Sequence, residues 1–274
     1  MPASALVLAL AAAFVHATWN TLVARARDPQ AATALGGVIG ASLLIPFAVA
    51  TWRVDGVALA FAAASAVIHV AYFACLARGY ALGELSSVYP LARGTAPVLV
   101  LVGAAVVLGE SPSVVQACGV VAVGAGVLMV RGGLSLRGDR RGELLGLLVG
   151  VTIAAYTVVD KRGVEHAAAL PYLLLLEGPS ALVYLGMVTR SRGRRVVAEL
   201  SRLTVLVGIG MVGAYGLVLA ALQRGPASGV AATRETSILI ATLFGAFVLG
   251  ERVTRLRAFG ATSIVLGVVA VALG

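Results

Sequence analysis

PLARGTAPVLVLVGAAVVLGE (Pro90 to Glu110) and AATRETSILIATLFGAFVLGE (Ala231 to Glu251) lie 141 residues apart and align without a gap. Arg93 falls on Arg234, Thr95 on Thr236, Gly109 on Gly250 and Glu110 on Glu251. Downstream, the same shift carries Gly119 onto Gly260 and Gly126 onto Gly267. Each copy is a long apolar run with an arginine inside it, so the duplicated unit belongs in a membrane rather than in a soluble repeat. Intramembrane duplication is the architecture of secondary carriers, whose two halves build one site between them.

Composition agrees. Of the 274 residues, 60% are hydrophobic and 12% charged, and the mean hydropathy is +1.00. A soluble domain of this size cannot cover its surface with so few charges, whereas a polytopic membrane protein needs them only in its loops. The 33 glycines suit helices that associate closely in lipid, as in Gly36-x-x-x-Gly40 and Gly146-x-x-x-Gly150. The net charge of +9 sits as short arginine clusters between apolar runs. That distribution sets topology and gives no footprint for nucleic acid. Cys75 and Cys118 lie inside apolar segments, which makes them packing residues with no disulfide or metal role. Met1-Pro2-Ala3-Ser4 lacks a basic n-region and the first apolar run continues through Trp19 and Asn20 to Arg25, so a retained first helix is expected rather than a signal peptide.

Apolar stretches of about 20 residues bounded by charge or turn signals predict ten helices. They cover 4–23, 31–50, 57–78, 85–108, 113–130, 143–160, 169–189, 203–223, 228–249 and 257–273. The fold class is therefore an all-α polytopic membrane protein of two five-helix repeats, 1–132 and 142–274, joined by a linker at 133–141. Five crossings leave the second repeat entering from the opposite side, so the repeats are inverted and both termini share one face. Loops on the other face hold fourteen arginines against four basic residues (Arg53, Lys161, Arg162 and Arg224) on the terminal face. Counting alone places the termini outside.

Arg93 and Arg234 lead the candidate site residues. Each precedes its Gly-Glu ending by 17 residues, a rise of about 25 Å, which leaves it about 5 Å inside a hydrocarbon core about 30 Å thick. Three roles stand open: binding or gating an anion, an internal salt bridge, and snorkelling to the interface. A planar guanidinium suits bidentate contact with carboxylate, phosphate or phosphonate. Glu235 has no counterpart in the first half and is a candidate for proton coupling, for a cationic substrate group, or for neutralising Arg93 across the halves. Glu177, beside Gly178-Pro179, has the same ambiguity, and the Gly-Pro pair suggests a local break.

On the first helix, His16, Trp19, Asn20 and Val23 share a face, matched on the sixth by Ile153, Tyr156, Thr157 and Asp160. Such a face lines a cavity or bonds a neighbouring helix. Asp160, beside Lys161-Arg162, also reads as an interfacial charge. His69 and Tyr72 form a weaker pair of the same kind. Pro90 and Pro97 flank Arg93 and either loosen the fourth helix for motion or fix a static kink. No proline occupies the corresponding ninth helix.

The paired Gly-Glu endings, the duplicated five-helix unit and Trp19-Asn20, with Tyr156-Thr157 as its counterpart, resemble the EamA family of the drug/metabolite transporter superfamily. Tyr89-Pro90-Leu91-Ala92-Arg93-Gly94 and Arg234-Glu235-Thr236 also resemble a subgroup associated with phosphonate use. The family resemblance implies a multi-pass carrier of small metabolites or drugs in the plasma (inner) membrane, with cytoplasmic termini and a site between the halves. The function expected is export of a small organic solute by alternating access. Substrate contacts are expected from Arg93, Arg234, Trp19, Asn20, Tyr156, Thr157 and Tyr89, and coupling or gating from Glu235, Glu177, Asp160, His16, Pro90 and Pro97. Partners are the lipid bilayer and a small-molecule substrate, anionic by the arginines, with proton coupling through the buried acids; no cofactor or metal is expected. The alternative, a membrane-embedded enzyme of lipid or phosphate-ester metabolism, lacks a paired-acid motif, a G-x-S-x-G, a P-loop and Cys/His metal spacing.

Overall fold

The computed structural model describes residues 1–81, 85–130, 140–249 and 254–274, and within these it leaves out the side chains of residues 77, 79–81, 85–90, 140 and 244–249. Gly250, Glu251, the 131–139 linker and the side chains of Tyr89 and Pro90 therefore lie outside the described residues. The helices are α1 (Ala3–Val23), α2 (Pro29–Ala50), α3 (Gly56–Ala81), α4 (Leu85–Gly103), α5 (Val114–Val130), α6 (Arg140–Gly163), α7 (Ala169–Arg192), α8 (Arg202–Leu222), α9 (Ala227–Arg234), α10 (Thr236–Leu249) and α11 (Arg255–Leu273). A π-helical turn, Ala104–Leu108, extends α4, and a 3-10 segment, Gly193–Glu199, follows α7. Among the described residues, eight helices are long and apolar enough to cross a membrane. The 17-residue α5 and the interrupted pair α9–α10 complete ten crossings.

Helix ends follow local chemistry. Asp28 caps α2 by accepting from the Gln30 and Ala31 amides, with Pro29 at the first helical position. Ser113 and Gln116 form a reciprocal capping box ahead of α5: the Ser113 hydroxyl accepts from the Gln116 amide (3.1 Å), and the Gln116 side chain accepts from the Ser113 amide (3.0 Å). Gly109 ends the fourth crossing with φ +72°, where a side chain would meet steric cost.

The helix contacts are symmetric under exchange of the halves. α1 packs on α8 as α6 packs on α3, and α2 packs on α8 as α7 packs on α3. α2 meets its equivalent α7, and α5 meets α11. The α5–α11 seam runs on repeat-related glycines. A Cβ on Gly126 would stand 2.6 Å from the Gly260 carbonyl oxygen, and one on Gly119 would stand 2.7 Å from that of Gly267. Only bare backbones approach this closely, and packing rather than a hydrophobic drive holds helices together in lipid. Gly36 and Gly40 of α2 meet Gly208 of α8 in the same manner. The Met1 ammonium donates to the Ala272 carbonyl (3.2 Å), so the termini share a face.

One expectation about helix continuity, the local break at Gly178-Pro179, is corrected. α7 runs unbroken through Gly178 and Pro179, and α4 through Pro97. The missing proline bonds are absorbed within continuous helices. The discontinuity falls instead in the proline-free ninth crossing, at Glu235, where the backbone tightens to i,i+3 bonds (Glu235 N–H to Ala232 O, 3.1 Å; Ile238 N–H to Glu235 O, 3.0 Å).

Candidate functional site

A cavity of about 160 Å³ lies between the halves. α1 lines it with His16, Trp19, Asn20 and Val23, the face expected from the sequence, and α6 contributes Ile153 and Tyr156. Val23 and Thr33 carry the cavity toward the face opposite the termini. Trp19 fits there because α8 has no side chain at Gly210, whose Cβ would stand 2.6 Å from that of Trp19. The buried indole N–H of Trp19 has no hydrogen-bond acceptor among the described residues. His16 stands edge-on to the indole, ring centroids 5.0 Å apart, and the Asn20 amide donates to the His16 carbonyl (2.8 Å). Aromatic walls continue through His69, stacked on Tyr156 at 4.3 Å, and Tyr215, 6.0 Å from Tyr156.

The two arginines occupy different environments. Arg93 is buried, its Nε is 3.1 Å from Glu235 Oε2, and its Nη2 donates to the Ser237 hydroxyl (3.0 Å). Glu235 thus neutralises Arg93 across the halves, and Arg93 does not reach the interface by snorkelling. A buried pair with one partner removed costs about 3–5 kcal/mol, because the other charge is left uncompensated. Arg234, at the end of α9, lines the cavity with its guanidinium 5.7 Å from the centroid of the Tyr215 ring. Among the described residues no carboxylate lies within ion-pair distance of Arg234. Glu177, buried on α7, faces the same cavity.

Thr157 and Asp160 lie behind this wall. The Thr157 hydroxyl donates to the Ile153 carbonyl (2.7 Å) and is fully buried. Asp160 is 0% exposed, which overturns its reading as an interfacial charge. The course of the helix explains this: α6 continues to Gly163, while Lys161 turns away to donate to the Leu222 carbonyl (2.6 Å). The Asp160 carboxylate accepts from the Tyr172 hydroxyl (2.9 Å) and from the Tyr215 hydroxyl.

The terminal face is closed by contacts between the halves. Val54 and Ala167 form an isolated antiparallel bridge, flanked by Ala168 N–H to Arg53 O (2.8 Å) and Asp55 N–H to His166 O (3.2 Å). Asp55 Oδ2 also lies 2.9 Å from His166 Nδ1. The Ala58 amide, then the His166 ring, holds the exposed Asp55 carboxyl below the usual carboxylate range. This latch is therefore intact above that range and loosens as pH falls through the lowered value. Glu110, at the end of the first repeat's marked stretch, accepts from the Ala227 amide (2.5 Å) and the Ser228 hydroxyl (2.8 Å), capping α9 of the other half.

Sequence pattern alone does not single out Tyr215 or Tyr172. Tyr215 does carry a signal, as the one aromatic in the small, apolar run of α8, whereas Tyr172 gives none until α7 is placed against α6.

The EamA-like transporter family model matches residues 3–132 and 140–273. A solved structure described only as "Crystal structure of protein" superposes with a TM-score of 0.80 at 17% identity, over 100% of this chain and 98% of the other. At that identity the likeness shows the fold alone. No curated protein matches the chain.

Proposed function

Because the chain belongs to the EamA-like transporter family, we propose that it is a secondary carrier in the plasma (inner) membrane, exporting a small organic solute with an acidic group by alternating access. The observation that carries this proposal is Arg234: a guanidinium facing an aromatic cavity, with no carboxylate partner among the described residues. A cation left unpaired in low dielectric is costly, and an anionic ligand group accepting two of its N–H bonds removes that cost. The Trp19 indole N–H is a second donor awaiting an acceptor in the same space. Tyr156 and the Trp19 ring offer flat surfaces for the body of the solute. Arg93, tied to Glu235, holds the broken ninth crossing against the first half and serves gating rather than direct binding.

An uptake and growth-protection screen across amino acids, phosphonates and cationic drugs tests the substrate class. Solutes bearing an anionic group are expected to be recognised, with recognition lost in Arg234→Gln. Recognition confined to purely cationic drugs and unaffected by Arg234→Gln would overturn it.

A further inference from the structure

We propose that Asp160 is a proton-binding site connected to the cavity through Tyr215. It depends on the transport proposal for its use, though not for its existence. Asp160 is wholly enclosed, yet its oxygens face two phenolic hydroxyls from two different helices, Tyr172 on α7 and Tyr215 on α8. From α3 it faces His69 and the Ser65 hydroxyl. Glu177 on α7 is close enough to sense its charge. α4 and α9 bring Arg93 and Arg234 to the cavity side of the same wall. Its neighbours in sequence are engaged elsewhere: Lys161 with the Leu222 carbonyl and Arg162 with Glu165.

This arrangement suits a proton better than a metal ion. Both hydroxyls point their hydrogens at the carboxylate, and among the described residues no cluster of three ligating side chains exists. A phenol can donate or accept, so the same contacts serve both charge states of Asp160. The ionised carboxylate accepts from both tyrosines. When one oxygen gains a proton it becomes a donor, and the tyrosine opposite must turn its own O–H away. For Tyr215 that turn takes place beneath Arg234 and beside His69, whose ring centroid is 5.6 Å away. His69 Nδ1 lies 2.9 Å from the Ser65 carbonyl oxygen, which can only accept. Nδ1 therefore carries a hydrogen and donates to that carbonyl. Gain of a proton at Asp160 also removes a negative charge behind Arg234, so proton and anionic ligand bind cooperatively, each strengthening the other by the same factor.

Infrared difference spectroscopy of the purified, lipid-reconstituted protein between high and low pH tests this without any substrate. Wild type is expected to gain a protonated-carboxyl C=O band on acidification, together with a tyrosine ring signal. Asp160→Asn should lose both and Glu177→Gln keep both. Tyr215→Phe should raise the band frequency, since the protonated carboxyl loses a hydrogen-bond partner, and that shift carries the test if Asp160→Asn does not fold. A carboxyl band that survives in Asp160→Asn, vanishes in Glu177→Gln or ignores Tyr215→Phe would overturn the assignment. Failure here leaves the transport proposal standing, and failure of solute movement leaves the titration standing.

Discussion

Arg93 and Arg234 are one residue duplicated, and the decisive difference between their surroundings is the next position in the chain, Gly94 in the first half and Glu235 in the second. That single acid separates their roles, because it reaches back to Arg93 and leaves its own neighbour facing the cavity. Replacing Arg234 with Gln should leave folded yield unchanged and weaken binding of an anionic solute roughly ten- to hundredfold, the worth of about 1.5–3 kcal/mol for a charged hydrogen bond. Lys should rescue only in part, as a point charge lacks the fork. Arg93→Gln behaves oppositely. Alone it should lower expression and thermal stability by stranding Glu235, whereas Arg93→Gln with Glu235→Gln should recover much of both. Fluorescence-detected gel filtration reads the yields, and equal yields for the single and double variants would remove the pairing. Depth in apolar runs marks both arginines and the acid in the sequence. It cannot divide their roles, since the partner of a buried charge is chosen by tertiary approach between residues far apart in the chain.

At the level of the helix, the apolar runs and their charged boundaries mark nearly every element to within a few residues, because a lipid-spanning segment must satisfy its own backbone. Proline is the poor guide. Pro97 and Pro179 sit in continuous helices whose packing tolerates them, while the ninth crossing breaks at a carboxylate drawn sideways to Arg93. The glycine seams obey the opposite logic, since their positions are fixed by contact alone. Gly126→Leu should force α5 away from α11 and cost about 1–3 kcal/mol or more from overpacking. Gly178→Leu, where an added Cβ meets nothing within 4 Å, should be far milder. Thermal denaturation of the two variants in matched detergent checks this, and equal midpoints would contradict the seam. The Asp160 enclosure is illegible at this level, because a one-dimensional pattern puts it at a helix end beside two cations, and its cover comes from α3, α7 and α8, remote in the chain.

Across the whole molecule, the 141-residue shift foretells the inverted halves, and their contacts map onto one another pair by pair. The arginine excess belongs to this scale too. Arg190, Arg192, Arg194, Arg195 and Arg202 are exposed around the end of α7 and the start of α8, on the face toward which the cavity extends. By arginine counting alone that face is cytoplasmic, the side from which the proposed exporter would load. A phosphatase fused after Gly274 should then be active outside the cell and a fluorescent protein fused there dark. The reverse would assign the termini to the cytoplasm, as the family resemblance implies. Loading from one face requires the other to be shut, and the bridge of Val54 to Ala167 supplies the closure to be tested. These two residues form a non-hydrogen-bonded antiparallel pair, with Cα atoms about 4.5 Å apart in such ladders, within disulfide reach. The deciding measurement is counterflow of the screened solute into preloaded liposomes carrying Val54→Cys/Ala167→Cys protein, with Cys75 and Cys118 replaced by Ser. Saturable counterflow that stops on oxidation and returns on reduction is the result expected of a carrier that must open this face. Counterflow that continues with the bridge locked, or a covalently altered solute with no net movement, would contradict it.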